Sequence, residues 1–310
     1  MISEKSFPGQ LMRLLFVLLG GTLLSWLLTI VVLLFYTSFD IDAVARQSGL
    51  LLENTTLLRI TQTIQSLCLF IIPPFIMSWI NREKPASYLF FHKPTLNQVF
   101  LAMLSLVISV PLINILVTWN EGLHLPAFLN DVEQWMRISE TTAAGLTERM
   151  LSGTSWMDLV ISLFIVAILA GFGEEVFFRG LLQRFLSDAI TGKKCQATGV
   201  YPKWVMHLSI WIIAFLFSAI HLQFFGFFPR LLLGAWFGYL LWWTGSIWVP
   251  VIAHMTNNAM STFFVFAEKK GMLTGDPDQF GLNETWWSCL FSLFLLGVCI
   301  IYLRKKQEST

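Results

Sequence analysis

Long apolar segments recur from one end of this chain to the other, and they constrain its fold more than any other feature. A helix that crosses a membrane needs about twenty consecutive, mainly apolar residues. Eight segments are candidates: 11–36, 57–80, 97–119, 157–187, 204–226, 229–244, 246–267 and 285–303. We therefore predict an all-α fold, a polytopic transmembrane helical bundle of about eight spans that forms a single membrane domain over residues 1–310.

The composition excludes a water-soluble domain. Hydrophobic residues make up 55% of the chain and charged residues 13%, with a mean hydropathy of +0.67, whereas soluble domains carry about 25% charged residues. The formal net charge is +1, and no basic run has interleaved aromatic residues. Membrane lipid is therefore an expected partner, and nucleic acid is not.

The distribution of lysine and arginine among the loops predicts the orientation. These residues are concentrated in loops 81–95 and 188–203 and at the C-terminal end, whereas segments 37–56 and 120–156 are mainly acidic. Because cytoplasmic loops carry the excess of basic residues, both termini are expected in the cytoplasm, which requires an even number of spans. The short loops favour a bacterial cytoplasmic membrane.

Few ionisable side chains lie inside the apolar segments, and each one is a functional hypothesis because its burial in a membrane is costly. The fourth segment contains Gly-Phe-Gly-Glu-Glu-Val-Phe-Phe-Arg-Gly, and the fifth and seventh contain histidines. The candidate site residues are Glu174, Glu175, Arg179, His221, His254 and Asn258.

Helical spacing assigns different tasks to the two adjacent glutamates. Glu175 and Arg179 are four residues apart, so they share a helix face and can pair. Glu174 points about 100° away, so its charge is neutralised less by its own helix than that of Glu175. Desolvation raises the proton affinity of a carboxylate toward that of a general base. The flanking glycines allow close helix approach. The alternative interpretation is a buried ion pair that only fixes helix packing.

The two histidines each have a partner on the same helix face. Phe217 and His221 are one turn apart, as are His254 and Asn258, and a histidine with a carboxamide can donate to a developing oxyanion. Asn257 is predicted to point elsewhere. Taken alone, either histidine could equally be a hydrogen-bonded packing residue.

The three motifs Glu-Glu-x-x-x-Arg, Phe-x-x-x-His and His-x-x-x-Asn together resemble the CPBP family. This family comprises type II CAAX prenyl endopeptidases and bacteriocin-processing, immunity-type (Abi-like) proteins, and the resemblance covers residues 155–265. It implies an intramembrane endopeptidase with its site in a membrane-embedded cavity. It also implies the roles: Glu174 and His221 activate water, Glu175 and Arg179 support the site, and His254 and Asn258 form the oxyanion hole.

The chemistry that these residues can support is hydrolysis by activated water. No serine lies in a Gly-x-Ser-x-Gly context, and no cysteine lies beside a histidine, so a covalent mechanism is disfavoured. Glu174, His221 and His254 could instead bind zinc, although the His-Glu-x-x-His spacing is absent. Both metal-dependent and glutamate-dependent enzymes occur in the family. We expect no required cofactor, with zinc as the alternative.

Two other function classes are compatible with charged residues in membrane spans. A proton-coupled transporter also uses carboxylates and histidines, but the sequence has no inverted repeat or pair of broken helices. A non-catalytic membrane scaffold could keep the same fold. For an endopeptidase the resemblance permits a membrane-associated peptide or a lipid-modified protein as substrate, including a prenylated CAAX peptide or a leader peptide.

Overall fold

The computed structural model describes residues 7–192, 201–273 and 277–305, and within these ranges it contains helices and no strands. The predicted all-α class is confirmed. The helices are α1 (Phe7–Tyr36), α2 (Ile41–Ala45), α3 (Gln47–Glu53), α4 (Thr55–Ile80), α5 (Pro85–Tyr88), α6 (Leu96–Glu121), α7 (Asn130–Met150), α8 (Trp156–Thr191), α9 (Lys203–Ala219), α10 (Phe227–Thr244), α11 (Trp248–Lys269) and α12 (Trp287–Lys305).

Each of the eight predicted apolar segments coincides with a helix, but only part of the set meets a strict criterion for crossing a membrane. Among the described residues, 6 helices are long and apolar enough: α1, α4, α6, α8, α10 and α12, the last two with a short 3-10 turn in front. Helix α9 has 17 residues. Helix α11 has 22 residues but carries the polar stretch His254 to Asn258 in its middle.

The fifth predicted segment, 204–226, is wrong at its C-terminal end. Helix α9 stops at Ala219, and His221 lies in the turn that follows it. The Nδ1 of His221 lies 2.7 Å from the carbonyl oxygen of Phe217, the acceptor that a further helical turn would have used. The imidazole of His221 thus takes the place of the backbone N–H that would bond to this carbonyl in a longer helix. Helix α9 can therefore end before His221.

Helix α8 is central because it carries the glutamates and contacts α4, α9, α10 and α11. Two glycines allow this close packing. A side chain at Gly171 would meet the backbone nitrogen of Met255 in α11 at 3.2 Å, and one at Gly173 would meet the Phe70 side chain in α4 at 3.2 Å. Small residues at helix interfaces let backbones approach closely, so α8 lies tightly between α4 and α11.

Helix α8 is not a regular α-helix. It changes to π-helical hydrogen bonding over Leu163–Leu169 and again over Val176–Gln183, with a single α-helical turn, Ala170–Glu175, between them. Both glutamates lie in that turn. A π segment inside an α-helix is often found at functional sites, and here one lies on each side of the charged pair.

Both ends of the described chain lie at the same end of the bundle. The Phe7 ring at the start of α1 lies 5.8 Å from the ring of Phe185 near the end of α8. Arg304 near the end of α12 lines one cavity together with Lys203 at the start of α9. This placement agrees with an even number of crossings. Lys193, Lys194 and Lys306, which contributed to the predicted orientation, lie outside the described residues.

A partly buried ion pair at the opposite end of the bundle joins α4 to α8. The guanidinium of Arg59 lies 2.9 Å from Asp158 Oδ1, and it also donates to Ser162 Oγ at 3.1 Å and to the Met150 carbonyl at 3.1 Å. The Arg59 side chain is 10% exposed. One arginine therefore holds α4, α8 and the end of α7 together.

Replacing Arg59 with methionine is expected to lower the free energy of unfolding by about 1–3 kcal/mol, the range for losing hydrogen bonds to charged groups. The apolar replacement keeps the stem but leaves Asp158 without its cation. Thermal unfolding in detergent measures the loss. Arg46→Met, at an exposed position, is the control and should change little. An equal effect of the two substitutions would contradict the assignment.

Outside the spans, Glu133 attaches the loop before α7 to that helix. Its carboxylate accepts from the Leu125 N–H at 2.8 Å and from Arg137 Nη2 at 2.6 Å, and it lies 3.0 Å from His124 Nδ1. The hydrogen bond from His124, with those from Arg137 and the Leu125 N–H, lowers the pKa of Glu133 to about 2. The carboxylate is therefore charged over the whole physiological range.

We expect this attachment to weaken in acid. The pKa of Glu133 is lowered from 4.5 to about 2 in the folded protein. Its contribution to stability is fully present above about pH 4.5 and is lost as the pH falls toward about 2. The Tm of wild type should exceed that of Glu133→Gln near neutrality, and the two values should converge in acid. A Tm difference that stays constant across the titration would contradict this prediction.

Candidate active site

The two glutamates lie near the middle of α8. Glu174 is 16 residues along the helix from Asp158 and 14 residues from Asp188, the acidic residues toward its two ends. The hydrocarbon core of a bilayer is about 30 Å thick. A carboxylate at this position is far from either interface, so its partners must come from neighbouring helices.

Glu175 and Arg179 form the ion pair that the helical spacing predicts. Glu175 Oε1 lies 2.9 Å from Arg179 Nη1, and both side chains are 0% exposed. Arg179 Nη2 donates to the Gly234 carbonyl of α10 at 2.8 Å, and its guanidinium lies 4.5 Å from the centre of the Phe217 ring. The pair therefore connects α8 to α10 and lies against an aromatic ring from α9.

His254 lies between the two glutamates. Its Nδ1 lies 2.7 Å from Glu175 Oε1, and its Nε2 lies 3.9 Å from Glu174 Oε2. The ring stacks on Phe237 with 4.9 Å between centroids. Because an ionised carboxylate can only accept, Nδ1 carries a proton and Nε2 is the nitrogen that faces Glu174.

Glu174 is the more accessible of the two carboxylates. Its side chain is 15% exposed, whereas that of Glu175 is fully buried. Glu175 is occupied by both Arg179 and His254, and its Oε2 has no hydrogen-bond partner among the described residues. Glu174 is therefore the carboxylate that a water molecule can reach.

His221 lies beside this cluster from the turn after α9. Its Nδ1 donates to the Phe217 carbonyl, and since a carbonyl can only accept, the neutral ring leaves Nε2 as an acceptor. The ring interacts electrostatically with Glu174 and His254. His221 and His254 both contact the Phe217 ring, so His221 lies near the cluster although it is outside the helix in which the sequence placed it.

Asn258 connects α11 to the first π segment of α8. Its Nδ2 donates to the Val166 carbonyl at 3.0 Å, which leaves one amide hydrogen for another acceptor. Asn257, set aside on the helical wheel, donates to Asn258 Oδ1 at 3.2 Å. Asn257 therefore helps to position the Asn258 amide. Helical spacing did not predict this contact, because adjacent residues point about 100° apart on a helix.

The cluster contains one further cation that the sequence analysis passed over. Arg230, near the start of α10, donates to Gln223 Oε1 at 2.6 Å and interacts electrostatically with Glu174 and Glu140. Arg230 lies at the edge of the predicted segment 229–244, whereas the predicted site residues lie farther inside their segments. A guanidinium inside a predicted span is by itself an indication of a functional residue.

Among the described residues, no group of three or more histidine, cysteine, aspartate or glutamate side chains is arranged to hold a metal ion. The Nδ1 atoms of His221 and His254 contact a carbonyl and a carboxylate. Both Nε2 atoms are left as possible ligands, since a metal-binding histidine commonly donates its other ring N–H to such an acceptor. The alternative zinc set of Glu174, His221 and His254 therefore stays a prediction.

The protein is a polytopic helical membrane bundle whose buried centre brings together Glu174, Glu175, Arg179 and His254. Residues 156–260 match the family model described as type II CAAX prenyl endopeptidase, Rce1-like. The matched segment, 105 of the 310 residues, contains all three motifs, and through it the chain is similar to the CAAX protease family, also called CPBP. No curated protein and no solved structure matches the chain.

Proposed function

We propose that this protein hydrolyses peptide bonds at the membrane by a glutamate-activated water molecule, within the CAAX-type intramembrane endopeptidase activity that the matched family implies. The observation that carries the proposal is the unequal environment of the adjacent carboxylates. Glu175 is buried and neutralised by Arg179, whereas Glu174 is partly exposed and faces an imidazole nitrogen. Two such carboxylates perform different tasks in one site.

Glu174 acts as the general base and then as the general acid. It removes a proton from water while the water oxygen attacks the carbonyl carbon of the scissile bond, which gives a tetrahedral oxyanion. The carbon–nitrogen bond then breaks, and the protonated Glu174 returns its proton to the departing amine. The products are a carboxylic acid and an amine, and Glu174 is ionised again. The acid then gives up its proton, and the products leave as a carboxylate and an ammonium group.

His221 helps to orient the attacking water. Its Nδ1–H is held by the Phe217 carbonyl, so in the neutral ring Nε2 is free to accept a hydrogen bond from water. Two acceptors on one water molecule fix the direction of its oxygen lone pairs. The interaction at Nδ1 also fixes the orientation of the imidazole ring.

His254 and Asn258 stabilise the oxyanion. The Nδ1–H of His254 points to Glu175, so only Nε2 of this ring is directed away from Glu175 and can reach the oxyanion. The remaining amide hydrogen of Asn258 supplies a second donor.

Removing the Asn258 amide is expected to lower kcat by about 10²-fold, the effect of losing one oxyanion donor. Asn258→Ala should leave KM nearly unchanged, because this donor acts mainly in the transition state. Steady-state kinetics with a cleaved peptide measures both quantities. The control is Asn114→Ala, at a position that donates to Pro277 and Phe280 carbonyls away from the site. A change confined to KM would argue against the oxyanion role.

The substrate that we propose is a membrane-associated peptide, with a prenylated C-terminal peptide as the first candidate. The family description names a CAAX prenyl endopeptidase. A site about halfway along α8 can be reached by a chain whose neighbouring segment is anchored in the lipid. A lipid-modified peptide meets that requirement directly.

The test is cleavage of quenched fluorescent peptides by the purified protein in nanodiscs. The panel contains farnesylated CAAX peptides, the same peptides without the lipid, and apolar leader-type peptides, each with and without a chelator. Cleavage that survives the chelator and is lost in Glu174→Ala supports the proposal. Loss with the chelator and recovery with zinc would overturn the metal-free mechanism. A folded wild type that cleaves none of the peptides would favour a scaffold or a carrier.

A further inference from the structure

A large cavity lies at the end of the bundle where the described chain begins and ends. Its volume is about 970 Å³, and it is bounded by α9, α10 and α12 and by the last turns of α8. It is separate from the candidate active site, since none of the six predicted site residues lines it. Its volume lies within the range of about 300–1,000 Å³ found for ligand pockets.

One wall of this cavity is aromatic and fixed in position. Tyr239 stacks on Trp243 with 5.2 Å between centroids, and its hydroxyl lies 2.7 Å from His207 Nδ1. The ring of Trp242 meets His207 edge to face at 5.1 Å. Trp211 and Trp236 complete the wall. Aromatic rings with polar edges are enriched where a membrane protein meets the headgroup region.

The rim of the cavity is positively charged. Arg184, Lys203 and Arg304 line it, and none of the acidic residues that the structure describes does so. Arg184 is paired with Glu83 at 2.9 Å and with Asp188 at 3.6 Å. Lys203 and Arg304 have no carboxylate within ion-pair distance in the part of the chain that the structure describes. Within residues 7–192, 201–273 and 277–305, these two cations are therefore available to an anionic ligand.

We propose that this cavity binds a phospholipid with a net anionic headgroup, of the phosphatidylglycerol type. The phosphate lies between Lys203 and Arg304, and an acyl chain lies along the aromatic wall. Basic pockets between spanning helices bind anionic headgroups in this way. A zwitterionic lipid carries its own cation and would lose the charge complementarity. The bound lipid would join α9 and α12 across the cavity.

The experiment compares lipids of identical acyl chains with the purified full-length protein in detergent. Phosphatidylglycerol is expected to raise Tm by about 3 °C or more above the shift given by phosphatidylcholine, since a ligand that binds only the folded state stabilises it. In Lys203→Gln/Arg304→Gln this difference should vanish. The control, Arg46→Gln/Lys270→Gln, removes two exposed cations at the other end of the bundle and should keep it.

The same measurement is made with other ligands that share part of this chemistry. Inorganic phosphate or a farnesylated peptide that stabilises the protein as much as phosphatidylglycerol would overturn the proposal. So would equal responses of the double variant and the control. Native mass spectrometry of wild type gives an independent measurement if the double variant does not fold. The phosphatidylglycerol adduct should survive collisional activation that removes phosphatidylcholine, and equal retention would count against the site.

Discussion

Glutamine in place of Glu174 is expected to lower kcat by about 10³-fold, within the range attributed to a general base. The substitution preserves the shape of the side chain and removes its ability to take a proton from water. Because Glu174 is partly exposed and makes no ion pair as close as that of Glu175, the fold should be retained. Cleavage rates of the best peptide substrate, measured at saturating concentration, give the loss directly.

The matched control for this prediction is Glu148→Gln. Glu148 is an exposed residue of α7, outside the candidate spans, so the same chemical change there should leave the rate unchanged. Equal Tm values for the two variants would show that neither is misfolded. A Glu174→Gln protein that retains most of its activity would exclude Glu174 as the base and return attention to His221.

Methionine in place of Arg179 is expected to destabilise the protein by about 3–5 kcal/mol, the cost of leaving one partner of a buried ion pair uncompensated. The variant would keep an ionised Glu175 in a fully buried position with His254 as its remaining partner. It would also remove the hydrogen bond to the Gly234 carbonyl and the contact with the Phe217 ring. Unfolding of the purified protein, followed by heat or denaturant, measures the change.

The chain contains a natural control with the same motif. Glu133 and Arg137 form another Glu-x-x-x-Arg pair on α7, where the arginine side chain is 44% exposed. Arg137→Met should therefore destabilise the protein much less, since exposed ion pairs contribute little. The double variant Glu175→Gln/Arg179→Met should recover part of the loss, because it no longer buries an unpaired charge. Equal losses for Arg179→Met and Arg137→Met would contradict this explanation.

The sequence predicted those features that depend on short-range periodicity. Segments of about twenty apolar residues located the helices, since membrane thickness sets their length. The four-residue spacing predicted the contact between Glu175 and Arg179, which the structure shows at 2.9 Å. The glycines beside the glutamates indicated close approach, and Gly171 and Gly173 do lie against α11 and α4.

Features that depend on how helices are arranged in space could not be predicted in this way. The position of His254 between both carboxylates requires α11 to pack beside α8, and no single-helix pattern contains that information. Helix α9 ends before His221, and the imidazole of this residue replaces a backbone N–H as the donor to the Phe217 carbonyl. The pairing of Arg59 with Asp158 joins residues far apart in the chain, both near the edges of apolar segments.

The π segments on either side of the glutamates also determine where α8 can change length. A π segment is an α-helix with an extra residue inserted, so deleting one residue from Leu163–Leu169 can restore regular α-helical geometry with both flanking parts still in register. Deleting a residue from the turn Ala170–Glu175 would instead rotate the glutamates by about 100° relative to α11. Insertions and deletions among homologues should therefore fall in the π segments and spare the turn that carries the carboxylates.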